Sequence, residues 1–146
     1  MNMPRREKRS IHLSRRSETQ KGSAMIELSL CFLLLFTVIY ATIEFSRLVY
    51  SYNVLAGATR EASRFAVVHG SRSTSPANLA AIRAEVERWA IGLNPANLSV
   101  TATWTPANTP GSRVRIETTY TVTPITRLIL QNPLQVSARS QMMISQ

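Results

Sequence analysis

The feature that most restricts what this chain can fold into is an unbroken apolar run. Ser23 to Ile43 reads SAMIELSLCFLLLFTVIYATI, and Glu27 is its only charge. Coiled as an α-helix at about 1.5 Å per residue, the run reaches roughly 30 Å, the thickness of a bilayer's hydrocarbon core. A small soluble domain rarely encloses so uniform an apolar cylinder, so a membrane-spanning helix is expected instead of a buried one. A cleaved secretory signal would have a shorter apolar region and a small-residue cut site after it. Here Glu44-Phe45-Ser46-Arg47 follows, so the span is expected to be retained.

Charge placement agrees with this. The formal net charge is +9, from 17 Lys and Arg against 8 acids. Arg5, Arg6, Lys8, Arg9, Arg15, Arg16 and Lys21 all precede the span, opposed only by Glu7 and Glu18. The later arginines and glutamates are spread out. A basic cluster beside an apolar run points to a membrane surface. It should remain cytoplasmic, leaving Glu44 onward outside the cytoplasm. In a bacterium with two membranes this places the span in the inner membrane and the C-terminal part in the periplasm. The basic tail carries no aromatic side chain to stack on bases, so no nucleic-acid partner is expected.

The inventory also restricts the chemistry. The chain has no Asp, two histidines (His12 and His69) and one cysteine, Cys31. A metal site usually draws three or four ligands from His, Cys and carboxylates, and no such cluster is visible. A Ser-His-Asp triad lacks its Asp. Glu85, Glu87 and Glu117 read as surface acids. The expectation is no enzyme, no metal, no cofactor and no small-molecule substrate. Cys31 reads as an ordinary small apolar residue.

Glu27 is the exception within the span. An ionisable group there is costly unless it snorkels to the near interface or finds a cationic partner. Lys21-Gly22 separates the polar leader from the apolar helix, and a glycine can thread a tight protease site. A cut after Gly22 would make Ser23 the new N-terminus and Glu27 the fifth mature residue. Both lysines, Lys8 and Lys21, would leave with the leader, so the new α-amine would be the only primary amine. On a neighbouring helix it could neutralise Glu27 and set axial register, because an unpaired buried charge is far worse than a paired one.

These residues resemble a known family. A glycine followed by a fifth-residue glutamate and a long apolar helix is similar to type IV prepilins and pseudopilins. The fuller resemblance is to the TadE-like family, and it runs from Lys21 to about Val67. It rests on Gly22-Ser23-Ala24, on Glu27, on the Ile43-Glu44-Phe45-x-Arg47 exit, and on Ala58-Thr59-Arg60-Glu61-Ala62-Ser63-Arg64. Ser23, where many other prepilins have Phe, favours the Tad branch; Met25-Ile26 departs mildly from the smaller residues often found there. The resemblance implies processing by a membrane prepilin peptidase and a role as a minor pilin or pseudopilin in tight-adherence (Flp) pilus assembly. The implied partners are that peptidase, other Tad/Flp pilins and the assembly platform. The alternative is an unprocessed single-pass signal-anchored protein with an extracytoplasmic interaction domain.

Past the span the pattern is mixed. Phe45, Leu48, Val49, Tyr52, Leu55, Ala56, Thr59, Ala62 and Ala66 recur at helical steps, which continues the helix amphipathically to near His69-Gly70. The Glu44/Arg47 and Glu61/Arg64 pairs read as a solvated face. Ser75-Pro76 reads as the start of a second helix, with Leu79, Ile82, Val86, Trp89 and Ala90 as its inward stripe and Gly92 near its stop. Period-two alternation then predicts strands from Leu98 to Trp104, Arg113 to Val122 and Leu134 to Met142. A short helical turn is conceivable at Ile125–Leu130. The expected class is membrane-anchored α+β: a long N-terminal transmembrane helix running into a small domain with a second helix and a roughly three-stranded antiparallel sheet. The expected segments are a leader 1–22, a span 23–43, a soluble helical continuation 44–69 and an extracytoplasmic domain 70–146.

Overall fold

The computed structural model describes residues 10–125 and 132–145, with side chains from Gly22 onward. The first nine residues of the leader, and the expected turn at Ile125–Leu130 after its first residue, lie outside the described residues. The elements are α1 (Ser10–Val68), α2 (Leu79–Trp89), a 3₁₀ turn (Pro95–Asn97), β1 (Leu98–Thr105), β2 (Arg113–Val122) and β3 (Leu134–Met143). The class is the expected one: a long N-terminal apolar helix, a second helix and a three-stranded antiparallel sheet. The chain divides into two units, the second beginning at Ile43.

In the first unit the helix is continuous through Gly22 and into the leader. Its apolar side chains face outward all round: Met25 is 72% exposed, Leu33 67% and Phe36 62%. The mean hydropathy of its most apolar stretch is 2.2, and none of that stretch is buried, so α1 is long and apolar enough to cross a membrane. Three hydroxyls within it are satisfied internally. Ser29 donates to the Met25 carbonyl at 2.8 Å, Thr37 to Leu33 at 2.7 Å and Thr42 to Val38 at 2.8 Å. Such back-bonding is what a hydroxyl needs where no water competes.

In the second unit the sheet has the order β1-β2-β3. Both pairings are antiparallel, with Ile116 opposite Ala102 on one side and Ser140 on the other. The strand periodicity is observed as expected: Val114, Ile116, Thr118, Tyr120 and Val122 point inward and Arg113, Arg115 and Glu117 outward. The inward face packs with Leu55, Ala58, Ala62 and Ala66 of α1 and with Ile82 and Val86 of α2.

The lengths of helix and sheet match. Glu44 binds the chain just beyond β2, through the Ile125 amide, and the Val67 carbonyl accepts from the Ser145 amide just beyond β3. The intervening helix rises about 35 Å, and a ten-residue strand covers about 33 Å. The sheet is thus tied to α1 at both ends. At the Val67 end, Ile144 also donates to the Ser112 carbonyl at 2.8 Å and accepts from the Gly111 amide at 3.0 Å.

Three expectations need correction. First, α2 does not start at Ser75-Pro76. Its N-cap is Asn78, whose side chain accepts from the Ala81 amide at 2.8 Å. The Ala77 amide is committed to the His69 carbonyl at 2.7 Å, which holds residues 75–77 out of the helix. Leu79 and Trp89 are also half-exposed, so the buried residues of α2 are Ile82 and Val86, continued by Ala90 at its C-cap. Second, the buried face of α1 keeps Leu55, Thr59, Ala62 and Ala66 as expected but differs at its N-terminal end. Phe45, Val49 and Tyr52 are exposed, whereas Ser51, Ala58 and Ser63 are buried. A sheet lying along a helix requires close approach, which the small residues interspersed with Leu55 permit. Third, Glu44 is not on a solvated face; only 6% of it is exposed.

Candidate functional site

The residues singled out by sequence fall into two groups along α1. The first is Gly22, Ser23 and Glu27. All three are helical and exposed, and a Cβ added at Gly22 would meet nothing within 4 Å. Nothing packs against this junction among the described residues. Ser23 and Glu27 are one helical turn apart, about 6 Å along the axis, and therefore share a face. A carboxylate in this place, once the helix began at Ser23, would also sit in the field of the helix N-terminus, which favours negative charge. Among the described residues Glu27 forms no ion pair. It is a single acid on an otherwise apolar, outward-facing cylinder.

The second group is the helix exit. Glu44 Oε1 accepts from the Ile125 amide at 2.7 Å, and its Oε2 faces an Arg47 guanidinium nitrogen at 3.5 Å. Glu44 is therefore a strap between α1 and the segment following β2, and its short bond goes to backbone. Sequence spacing could not reveal this partner, which lies 81 positions away. Further along, Glu61 and Arg64 pair at 3.2 Å on the surface, and Arg60 is exposed beside them. An exposed pair of this kind contributes little to stability. The structure does not bring Arg60, Glu61 and Arg64 together with Glu44 and Arg47.

Other polar residues pair within the fold. Glu85 pairs with Arg88 and accepts from the Trp89 indole, and Glu87 pairs with Arg83. Buried Thr59 donates to the Leu55 carbonyl at 2.7 Å and meets the Thr118 hydroxyl at 2.6 Å. Sequence placed Thr59 on the inner face but gave no sign that its partner would be a strand threonine. Among the described residues no group of three His, Cys, Asp or Glu side chains is placed to hold a metal.

A single outward-facing apolar helix, running into a domain in which a sheet is strapped along its continuation, defines a helix-anchored α+β protein. Residues 22–64 match the family model described as TadE-like protein, and over that segment the chain is similar to that family. The match opens at Gly22 and closes at Arg64, so it takes in both groups of residues and leaves α2 and the sheet outside. No curated protein and no solved structure matches the chain.

Proposed function

We propose that this protein is a minor pilin or pseudopilin of a tight-adherence (Flp) pilus machine, cut after Gly22 by a prepilin peptidase and assembled through α1. The observation that carries the reading is the start of the TadE-like match at Gly22, five residues before the only charge in the span. The structure supports it physically. The junction is exposed on all sides for a protease, and nothing within the described chain neutralises Glu27. A freed amine at Ser23, supplied by a neighbouring helix, would do so and would fix the axial offset between subunits. Site residues on this reading are Gly22 and Ser23 for processing, Glu27 for pairing, and Glu44, Arg47, Arg60, Glu61 and Arg64 at and beyond the exit. The protein would sit in the inner membrane, N-terminus inside, with Glu44 onward in the periplasm.

The test is the N-terminus of the product when the protein is made with and without a prepilin peptidase. Ser23 appearing only with the peptidase supports the proposal. Retention of Met1 in both cases would leave an unprocessed signal-anchored protein.

A further inference from the structure

We propose that a recess beside the exit of α1 binds the phosphate of an anionic glycerophospholipid. The recess, about 200 Å³, is lined by Arg47, Tyr50, Ser51, Tyr120 and Thr123, together with Gly92 and its neighbours. A water occupies about 30 Å³ of liquid, so there is room for a phosphate and part of its hydration.

The polar groups facing this space are chiefly donors. Arg47 is 43% exposed and is held only at 3.5 Å by Glu44, whose shorter bond goes to the Ile125 amide. Most of its five N–H donors therefore remain for a ligand. Ser51 is buried at 6% exposure, yet its hydroxyl has no hydrogen-bond partner among the described residues. It differs in this from Ser63 and Thr59 on the same face, which donate back into the helix. The Tyr120 hydroxyl accepts from the Asn94 amide at 3.3 Å, which leaves its own proton to donate. Tyr50 fixes the rim by donating to the Ile91 carbonyl at 3.2 Å. Among the described residues no acid lines the recess; Glu44 is adjacent but already engaged. A guanidinium with converging hydroxyl donors is the arrangement that takes a phosphate.

The position indicates a lipid as the source of that phosphate. Arg47 lies four residues past Ile43, about 6 Å along the helix from the end of the apolar run, which is headgroup depth. Around it Phe45 is 66% exposed and Tyr52 50%, as interfacial aromatics are. A choline or ethanolamine cation would find no acid in the recess, so an anionic headgroup is favoured. The inference requires only that α1 spans a bilayer, and it stands whether or not the chain is cut after Gly22.

The test is native mass spectrometry of the full chain released from detergent micelles containing phosphatidylglycerol, phosphatidylcholine or neither with excess inorganic phosphate. Phosphatidylglycerol should be retained in preference to phosphatidylcholine, and Arg47→Gln should weaken its retention about tenfold, the loss of one charge-assisted interaction. Ser51→Ala should weaken it severalfold, and decides the matter if Arg47→Gln fails to fold. Equal retention of both lipids, or retention unchanged by the variants, would overturn the proposal. Retention of inorganic phosphate in the lipid-free micelles, lost in Arg47→Gln, would also overturn it, because the recess would then be a soluble-anion site.

Discussion

Replacing Glu44 tests the strap between α1 and the sheet. The carboxylate is 6% exposed and accepts from the Ile125 amide at 2.7 Å. Glu44→Ala removes the acceptor and leaves a part-buried N–H without a partner, which costs about 1–3 kcal/mol. Glu44→Gln keeps a neutral acceptor of nearly the same shape. Charge-assisted bonds are roughly twice as strong as neutral ones, so Gln should lose about half as much as Ala. At about 4–8 °C per kcal/mol for a domain near 100 residues, Ala should lower the melting temperature by roughly 10 °C and Gln by roughly 5 °C. Arg47→Gln should lower it by far less, because its contact with Glu44 is 3.5 Å long and half-exposed. The assay is thermal unfolding of the full chain in detergent, paired with hydrogen exchange at the Ile125 amide. Ala should expose that amide to exchange, whereas Gln should protect it in part. If Ala and Gln cost the same, or if Ile125 remains protected in the Ala variant, the strap is not what holds this end of the sheet.

Thr59→Val alone should cost about 1–2 kcal/mol, because the Thr118 hydroxyl loses its 2.6 Å partner. Adding Thr118→Val should recover most of that cost, and a double-mutant cycle by chemical unfolding reads the coupling directly. Gly92→Ala should destabilise by about 1–3 kcal/mol, since residue 92 has φ +79 and a Cβ there would lie 3.2 Å from the Tyr50 hydroxyl; a melt matching wild type would refute this. Glu27→Ala should leave the peptidase cut nearly intact but impair incorporation into pili, as judged by N-terminal sequencing beside a pilus preparation. Normal pili from Glu27→Ala cells would refute the pairing role.

What was legible in the sequence was what repeats. The apolar run, the helical step beyond it and the period of two in the strands are local signals, and the strand limits at Leu98, Arg113, Val122 and Leu134 are those observed. What failed depended on distant partners. Asn78 and Ser75 are both good N-caps by type. The choice between them is made by the Ala77 amide, which binds His69 across the loop. The inner face of α1 was legible at Leu55, Thr59, Ala62 and Ala66 and misjudged only at Phe45, Val49 and Tyr52, which apolar bulk selects. Ala58 and Ser63, which apolar bulk passes over, are buried beside the first four because small side chains let the sheet approach.

The two misjudgements on α1 have one cause. Once small residues face the sheet, Phe45, Val49 and Tyr52 must point away from it, in the few turns just past the apolar run. Left in water they would form an unfavourable apolar surface. At the edge of a bilayer these side chains meet an interfacial layer instead, which suits Tyr52 above all. Glu44 follows the same logic. An acid so close to the bilayer is better spent on a backbone amide and an arginine than left exposed to lipid. A soluble domain with this sequence would be expected to turn its aromatics inward and leave Glu44 outside. The reverse arrangement is what a helix leaving a membrane requires.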